Sequence, residues 1–175
     1  MPGPGANLEA MLRRWCKRSG LGYVFPTMSH SPLNEPAWYD PLSPLGSAVK
    51  YVAALSPKFN WVGIYVLKGQ ELELGPYMGA PSEHTRIAVG TGVCGTAVAE
   101  GADQNVPDVR ARENYLSCSL ETRSELVVLI RDQTGRILGQ IDIDSHTLNA
   151  FGEEEEQAVR KVARELGERW PEARS

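Results

Sequence analysis

Cysteine is scarce in this chain, which has three among its 175 residues: Cys16, Cys94 and Cys118. A small, odd number of cysteines is not typical of a secreted disulfide scaffold, and it favours a reducing, cytoplasmic setting. Long apolar runs are missing too, since no stretch approaches the ~18 consecutive apolar residues of a membrane-spanning helix. The chain opens on Met-Pro-Gly-Pro-Gly, which lacks the basic start and apolar stretch of a secretory signal.

Excess positive charge is also absent. Lysine and arginine total 18 against 22 acidic residues, and the net charge of −4 argues against nucleic acid as the main partner. There are only three histidines, and no tight Cys-x-x-Cys or His-x-x-x-His spacing occurs, so we predict neither a metal site nor another cofactor. What the chain does have is length and an apolar fraction of 42%, enough for one domain with a substantial core.

The first 42 residues form the first of two predicted domains. Asn7 is a candidate cap for a helix over 8–19, and the stretch 25–44 carries five prolines, which exclude a regular element. We expect an extended arm there, followed by the main domain over 43–175.

Hydrophobic periodicity predicts the order of elements in the main domain. Strands adjacent in sequence and joined by short turns favour an α+β fold, in which a central antiparallel sheet has its helices packed on one face. The predicted helices lie over 44–55, 95–100 and 152–170, and the predicted strands over 61–67, 71–74, 86–89, 124–130 and 136–144.

Two of the cysteines are candidates for thiol chemistry. Cys118 lies in the polar segment Tyr-Leu-Ser-Cys-Ser-Leu-Glu, which is typical of an accessible loop, although an incidental surface cysteine would look the same. Cys94 lies in a glycine-rich turn at the start of the helix over 95–100, where the helix dipole favours a thiolate. Tight packing around a small residue is the alternative for Cys94, and Cys16 is expected to be packed or half-exposed.

Acidic residues alternate with isoleucine in Gly-Gln-Ile-Asp-Ile-Asp-Ser, residues 139–145. Because successive side chains of a strand point to opposite faces, Asp142 and Asp144 share one face. Neighbouring carboxylates repel each other, a cost that a protein accepts for binding a cation. Glu125 opens the neighbouring strand and is placed to join them. The alternatives are a solvated sheet face, or a cap that Asp144 makes at the strand end.

Trp61 and Tyr65 lie four residues apart in one predicted strand, so they share a face, with Gly63 between them. A glycine at that point leaves room for a ligand to approach, and an ordinary aromatic core is the alternative. His84 is a further candidate pocket residue.

Seven short segments follow one another in a specific order and spacing. Over residues 43–170 they resemble the GAF-domain free methionine-(R)-sulfoxide reductases. The segments are Asn60-Trp-Val-Gly-Ile-Tyr65, Leu74-Gly-Pro-Tyr77, Thr85-Arg-Ile87, Gly92-Val-Cys-Gly-Thr-Ala97, Val106-Pro-Asp-Val109, Ser124-Glu-Leu-Val-Val128 and Asp142-Ile-Asp-Ser145.

The resemblance implies a GAF fold, with a ligand pocket closed by loops on the sheet face opposite the helices. It also implies a homodimer, free methionine sulfoxide as substrate, and recycling by thioredoxin or another thiol reductant. By position, Cys118 corresponds to the family's nucleophile. Trp61 and Tyr65 correspond to pocket aromatics, and Glu125, Asp142 and Asp144 to the carboxylates that bind the substrate and polarise the sulfoxide.

One position departs from the family's pattern. A third cysteine usually precedes the Thr-Arg-Ile segment and pairs with the nucleophile in the oxidised protein, but His84 stands there in this chain. Three outcomes remain open: Cys94 resolves the oxidised intermediate, an external thiol does so, or the chain retains only a binding pocket. The first 40 residues also lie outside the resemblance.

The expected chemistry is thiol attack on a sulfoxide. The thiolate of Cys118 attacks the sulfur, a protonated carboxyl supplies a proton to the oxygen, and a sulfenic acid on Cys118 then condenses with a second thiol. Two other functions are compatible with the sequence. A GAF sensor domain would bind a small molecule without turnover, and an interaction subunit would carry its cysteines incidentally.

Overall fold

The computed structural model describes residues 44–111, 121–168 and 170. The predictions for Cys16, Cys118, the helix over 8–19, the proline-rich arm and the domain boundary at 42 lie outside the described residues. Within those ranges, none of the helices is long and apolar enough to cross a membrane.

The described elements follow an α+β order, in which runs of consecutive strands are preceded, interrupted and followed by helices. They are α1 (Pro44–Ala53), β1 (Trp61–Lys68), β2 (Glu71–Met78), β3 (Arg86–Ala88), α2 (Gly92–Glu100), β4 (Gln104–Val106), a 3₁₀ turn (Val109–Ala111), β5 (Ser124–Arg131), β6 (Ile137–Ser145) and α3 (Glu153–Glu168).

The elements predicted for residues 44–170 are all present, within a few residues at each end. Strand β4 and the 3₁₀ turn were not predicted, because three residues are too few to show a period. Helix α2 begins at Gly92 rather than at residue 95, with Thr91 in extended conformation as its N-cap. The glycines at its start resemble a turn, and Gly92 does adopt a left-handed φ of 63°.

The sheet has six strands in the order β3-β2-β1-β6-β5-β4, and all neighbouring pairs are antiparallel. The two central strands, β1 and β6, are distant in sequence but pair directly from Trp61↔Asp144 to Val66↔Gly139. The middle of the sheet therefore brings together residues from both halves of the domain.

One sheet face forms the main core with helices α1 and α3. Full burial of a valine, leucine or isoleucine contributes about 1.5–3 kcal/mol, so this packing is the main stabilising element. The two amphipathic helices lie on one face, as predicted. The buried residues of this face include Val49, Val52, Val62, Ile64, Leu126, Val128, Ile141, Ile143, Val159, Val162 and Leu166.

The opposite face carries a second, smaller cluster, over which helix α2 packs. Helix α2 contributes Val93, Cys94 and Ala97, and the sheet contributes Trp61 and Tyr65 among others. The sequence of α2 is small and apolar on all sides, so no amphipathic pattern indicates which face it covers. Gly95 allows its close approach to β3, because a Cβ there would lie 2.4 Å from the Ala88 carbonyl oxygen.

Candidate functional site

Three carboxyl groups meet on the sheet face that α2 covers. Strand register places Asp144 opposite Trp61 on β1 and opposite Glu125 on β5, while Asp142 lies opposite Gly63 on β1. Because residues two apart on a strand share a face, Asp142 and Asp144 point to the same side, as the alternation predicts.

All three acids are buried. The exposed fraction is 0% for Asp142, 2% for Asp144 and 4% for Glu125. A solvated sheet face, one of the two alternatives for these acids, is therefore wrong. Both oxygens of Asp142, and Oδ1 of Asp144, have no hydrogen-bond partner of good geometry among the described residues. Buried polar groups are normally paired, so the fold by itself does not account for these carboxyls.

Burial raises the pKa of Asp142 and of Asp144 above the usual range of an aspartate. Burial raises the pKa of Asp142 to about 7, an effect that the nearby Cys94 and Glu125 side chains reduce. Burial also raises the pKa of Asp144 well above its usual value, and the charge of neighbouring Asp142 raises it further. Near neutral pH the site therefore contains carboxyl groups that can donate a proton as well as accept one.

Cys94 lies at the edge of this acidic group. It occupies the third position of α2, it is 4% exposed, and its thiol donates to Oε1 of Glu125 with the sulfur 3.9 Å away. Cys94 is therefore tightly packed, as one of its two interpretations predicts, and it also contacts a carboxyl of the acidic group. Among the cysteines, it is the one that falls within the described ranges.

One set of described side chains has the spacing of a cation site. Cys94, Glu125 and Asp142 each present a donor atom, and these atoms lie within 4.8 Å of one another. His84 is not a member of this set. The same closeness also suits hydrogen bonds between a thiol and carboxyl groups.

The Trp61 indole covers Gly63. A Cβ at Gly63 would lie 2.2 Å from the indole ring, so the space that this glycine leaves open is filled by Trp61 itself. The expectation that Gly63 leaves room for a ligand is therefore wrong in this structure. The ring is held in place because Tyr77 stacks on it, with centroids 5.6 Å apart, and its Nε1 donates to the Ala80 carbonyl at 3.1 Å.

Tyr65 connects the sheet to the segment that carries His84. Its ring is fully buried, and its hydroxyl donates to the His84 carbonyl oxygen at 2.8 Å. The His84 backbone N–H in turn donates to Ser82 Oγ at 3.1 Å. Position 84 is thus anchored next to a buried aromatic of the site, with the His84 side chain half-buried.

Cys118 lies outside the described residues, but described residues on both sides of its segment form backbone hydrogen bonds near the acidic group. Val109 N–H donates to the Arg123 carbonyl at 2.8 Å, and Arg123 N–H donates to the Ser145 carbonyl at 2.8 Å. The chain therefore leaves and re-enters the described structure beside the end of β6 that carries Asp144.

Two residues of this face were not among the predicted site residues. Tyr77 supports Trp61, and Gln140 is fully buried two positions before Asp142 on the same face. The sequence contains a signal for Gln140, because it continues the alternation of Asp142 and Asp144. No local pattern indicates that Tyr77 stacks on Trp61, since a bulge between Gly63 and Tyr65 shifts the register of β1 against β2.

Comparison with known proteins agrees with the fold and with the predicted resemblance. The GAF domain model matches residues 48–170. The free methionine-R-sulfoxide reductase of Escherichia coli (strain K12) is 38% identical over 109 residues, covering 61% of this chain and 64% of that protein.

Two solved structures are also similar. The type II free methionine-R-sulfoxide reductase from Thermoplasma acidophilum has a TM-score of 0.67 at 37% identity, covering 69% of this chain and 85% of that one. The free methionine-R-sulfoxide reductase from Neisseria meningitidis, solved in complex with its substrate, has a TM-score of 0.66 at 34% identity. The match covers 73% of this chain and 77% of that one. This chain belongs to the GAF-domain family that includes the free methionine-R-sulfoxide reductases.

Proposed function

We propose that this protein reduces free methionine-(R)-sulfoxide to methionine, with Cys118 as the nucleophile. The observation that carries the proposal is the buried group of Glu125, Asp142 and Asp144 beside the Cys94 thiol. Relatives named for this activity support it, including one solved with its substrate.

The acidic group suits a ligand with a positive charge. Two buried carboxyls on one strand face repel each other when ionised, and an ammonium group between them offsets that repulsion. Free methionine sulfoxide carries such an ammonium, whereas methionine sulfoxide within a peptide does not. Trp61 and Tyr65, whose rings lie 6.3 Å apart, provide an aromatic wall for the methyl-thio end of the substrate.

The chemical step transfers one oxygen atom. The thiolate of Cys118 attacks the sulfoxide sulfur while a protonated carboxyl, for which Asp142 is the best candidate, gives a proton to the sulfoxide oxygen. The oxygen then passes to the Cys118 sulfur: the sulfoxide sulfur–oxygen bond and the transient bond between the two sulfurs break, and a bond from the oxygen to the Cys118 sulfur forms. Methionine leaves, and Cys118 is a sulfenic acid. With a pKa of about 7, Asp142 is present in both protonation states near neutrality, as a proton donor requires.

A second thiol completes the cycle. It attacks the sulfenic acid, water leaves, and a disulfide forms, which thioredoxin or another thiol reductant then reduces. Cys94 is the internal candidate for this second thiol, since His84 replaces the cysteine that the family usually carries at that position. We also propose that the protein acts as a homodimer, like its family.

The test is an assay of the purified full-length chain with free methionine-(R)-sulfoxide and dithiothreitol, followed by quantification of methionine. The S epimer and an N-acetylated R sulfoxide serve as controls, because the acetyl group removes the ammonium. We expect turnover of the free R epimer alone. Equal turnover of the acetylated compound would show that the acids do not select the ammonium.

A ligand-binding GAF domain without reductase activity is the alternative. The observation that favours it is His84 in place of the usual cysteine. It predicts saturable binding of methionine sulfoxide, with a Kd measurable by calorimetry, and no methionine produced even in a single turnover.

A further inference from the structure

The Gln140 side chain is fully buried on the face that carries the acidic group. Neither its amide nitrogen nor its amide oxygen has a hydrogen-bond partner among the described residues. An amide that gives up water without gaining a partner destabilises the folded state, and an apolar side chain of similar size would avoid that penalty. Packing therefore gives no reason for a glutamine at this position.

The position of Gln140 places it next to the acidic group of the candidate site. On β6 it lies two residues from Asp142, about 7 Å along the strand, with its side chain on the same face. Strand pairing sets it opposite Tyr65 on β1 and Leu129 on β5. A glutamine side chain is long enough to bring its amide close to the carboxyl group of Asp142.

The amide supplies a group that the rest of the site provides poorly. The acids can donate a hydrogen bond only while they are protonated, and Trp61 Nε1 and the Tyr65 hydroxyl each donate to a backbone carbonyl. The Gln140 NH₂ is a donor whose protonation does not change with pH, and it is not engaged by the described residues. Such a donor can bind an oxygen acceptor on a ligand at any pH.

We propose that Gln140 is a substrate-binding residue whose amide donates to a ligand oxygen carrying negative charge. In methionine sulfoxide this oxygen belongs either to the sulfoxide or to the carboxylate. The inference rests on the proposed substrate for the identity of the ligand, but it concerns binding and does not require turnover.

The test compares Gln140→Met with the unchanged sequence, both in a Cys118→Ser background so that the ligand is not consumed. Methionine is close to glutamine in length and has no amide. We expect the Kd for methionine-(R)-sulfoxide, measured by calorimetry, to rise about tenfold, as for the loss of one good hydrogen bond. The melting temperature of the ligand-free variant is expected to stay the same or to rise, because an unpartnered buried amide is removed.

Binding of methionine, the reaction product, is measured in the same way to identify which ligand oxygen the Gln140 amide contacts. If only sulfoxide binding weakens, the amide contacts the sulfoxide oxygen, and if both ligands bind more weakly, it contacts the carboxylate. Ile141→Val is the matched control, since Ile141 is the next residue on β6 but belongs to the opposite core. We expect it to lower the melting temperature and leave the Kd unchanged.

An unchanged Kd for both ligands would overturn the inference, as would a lower melting temperature of Gln140→Met with binding intact. No binding of either ligand to the parent chain would overturn the proposed substrate as well. If Gln140→Met does not fold, the side-chain amide resonances of Gln140 in the unmodified chain decide the matter. They are expected to shift and to become protected from exchange when ligand is added, and unchanged resonances would contradict the inference.

Discussion

The thiol of Cys94 donates to the carboxylate of Glu125, with Sγ 3.9 Å from Oε1 and both side chains buried. This contact joins helix α2 to strand β5 at the edge of the acidic group. A thiol held in this way must leave its partner before it can attack a sulfenic acid elsewhere. We therefore expect resolution by Cys94 to be slower than the first chemical step.

Removal of each thiol is predicted to block a different stage of the reaction. Cys118→Ser should abolish reduction with the fold intact, because a hydroxyl is a far poorer nucleophile than a thiolate. Cys94→Ser should still produce about one methionine per chain, while turnover driven by thioredoxin falls at least about tenfold, because no internal disulfide forms. Single-turnover quantification of methionine measures both, with Cys16→Ser as control. A full single turnover in Cys118→Ser would show that the nucleophile lies elsewhere.

The single-turnover rate is predicted to lose its contribution from Asp142 above neutral pH. Burial raises the pKa of Asp142 to about 7, so the carboxyl loses its proton as the pH rises through that value. The rate of wild type relative to Asp142→Asn should therefore fall between about pH 6 and about pH 8, since the asparagine cannot transfer a proton at any pH. Asp144→Asn should weaken substrate binding because an asparagine cannot ionise to pair with the substrate ammonium. Equal kinetics in all three proteins would show that these acids play no part.

Asp142→Asn is predicted to stabilise the ligand-free protein at pH 8. The unfolded chain loses the Asp142 proton near pH 3.8 and the folded chain near 7, so the free energy of unfolding falls as the pH rises between these values. The free energy of unfolding falls by at most about 4 kcal/mol, and it stays lower at higher pH. The asparagine variant does not show this fall, because its side chain does not titrate. Thermal unfolding from pH 4 to pH 8 measures the difference, which should shrink toward pH 4.

Asp132→Asn is the matched control for Asp142→Asn, and it is predicted to change the stability in the opposite direction. Hydrogen bonds, first from the Thr134 hydroxyl and then from the Arg136 and Thr134 backbone, lower the pKa of Asp132 to about 2. Its carboxylate stabilises the β5–β6 turn above the unfolded pKa, and this contribution is lost as the pH falls from about 4 to about 2. Asp132→Asn should therefore lower the melting temperature at pH 8. Shifts of the same sign in the two variants at pH 8 would contradict the argument.

His84→Cys is predicted to speed the formation of an internal disulfide and to increase turnover driven by thioredoxin relative to turnover driven by dithiothreitol. Position 84 is anchored to the site by the Tyr65 hydroxyl, which donates to its carbonyl at 2.8 Å. Mass spectrometry after one equivalent of substrate measures the disulfide, and His84→Ala controls for loss of the imidazole. Rapid and complete Cys94–Cys118 bridging in the unmodified chain would show that His84 does not impair resolution.

Gly63→Ala is predicted to displace the Trp61 indole. The new Cβ would lie 2.2 Å from the ring, and Tyr77 blocks retreat because it stacks on Trp61 at 5.6 Å. Overpacking of this kind costs about 1–3 kcal/mol, and we expect a higher Kd for substrate as well. Thermal unfolding and calorimetry measure the two effects, with the exposed Gly152→Ala as control. Wild-type stability and affinity would show that the aromatic wall adapts freely.

Local patterns predicted the elements and their faces well. The alternation along β6 placed Asp142 and Asp144 on one face and Ile141 and Ile143 on the other, because the period of a strand is fixed by backbone geometry. The apolar period of α3 predicted the side that packs on the sheet for the same kind of reason. Gln140 follows the same alternation, but a single glutamine carries no local indication that its amide is unpartnered.

The sequence by itself determined the helices and strands, the face to which each acidic side chain points, and the family resemblance. Only the tertiary structure decided that this face is closed, that Glu125 lies opposite Asp144, and that Trp61 fills the space over Gly63. The physical reason is that backbone periodicity acts over a few residues, whereas burial, pKa and ring placement depend on strands that pair across more than 70 residues of chain, such as β1 with β6.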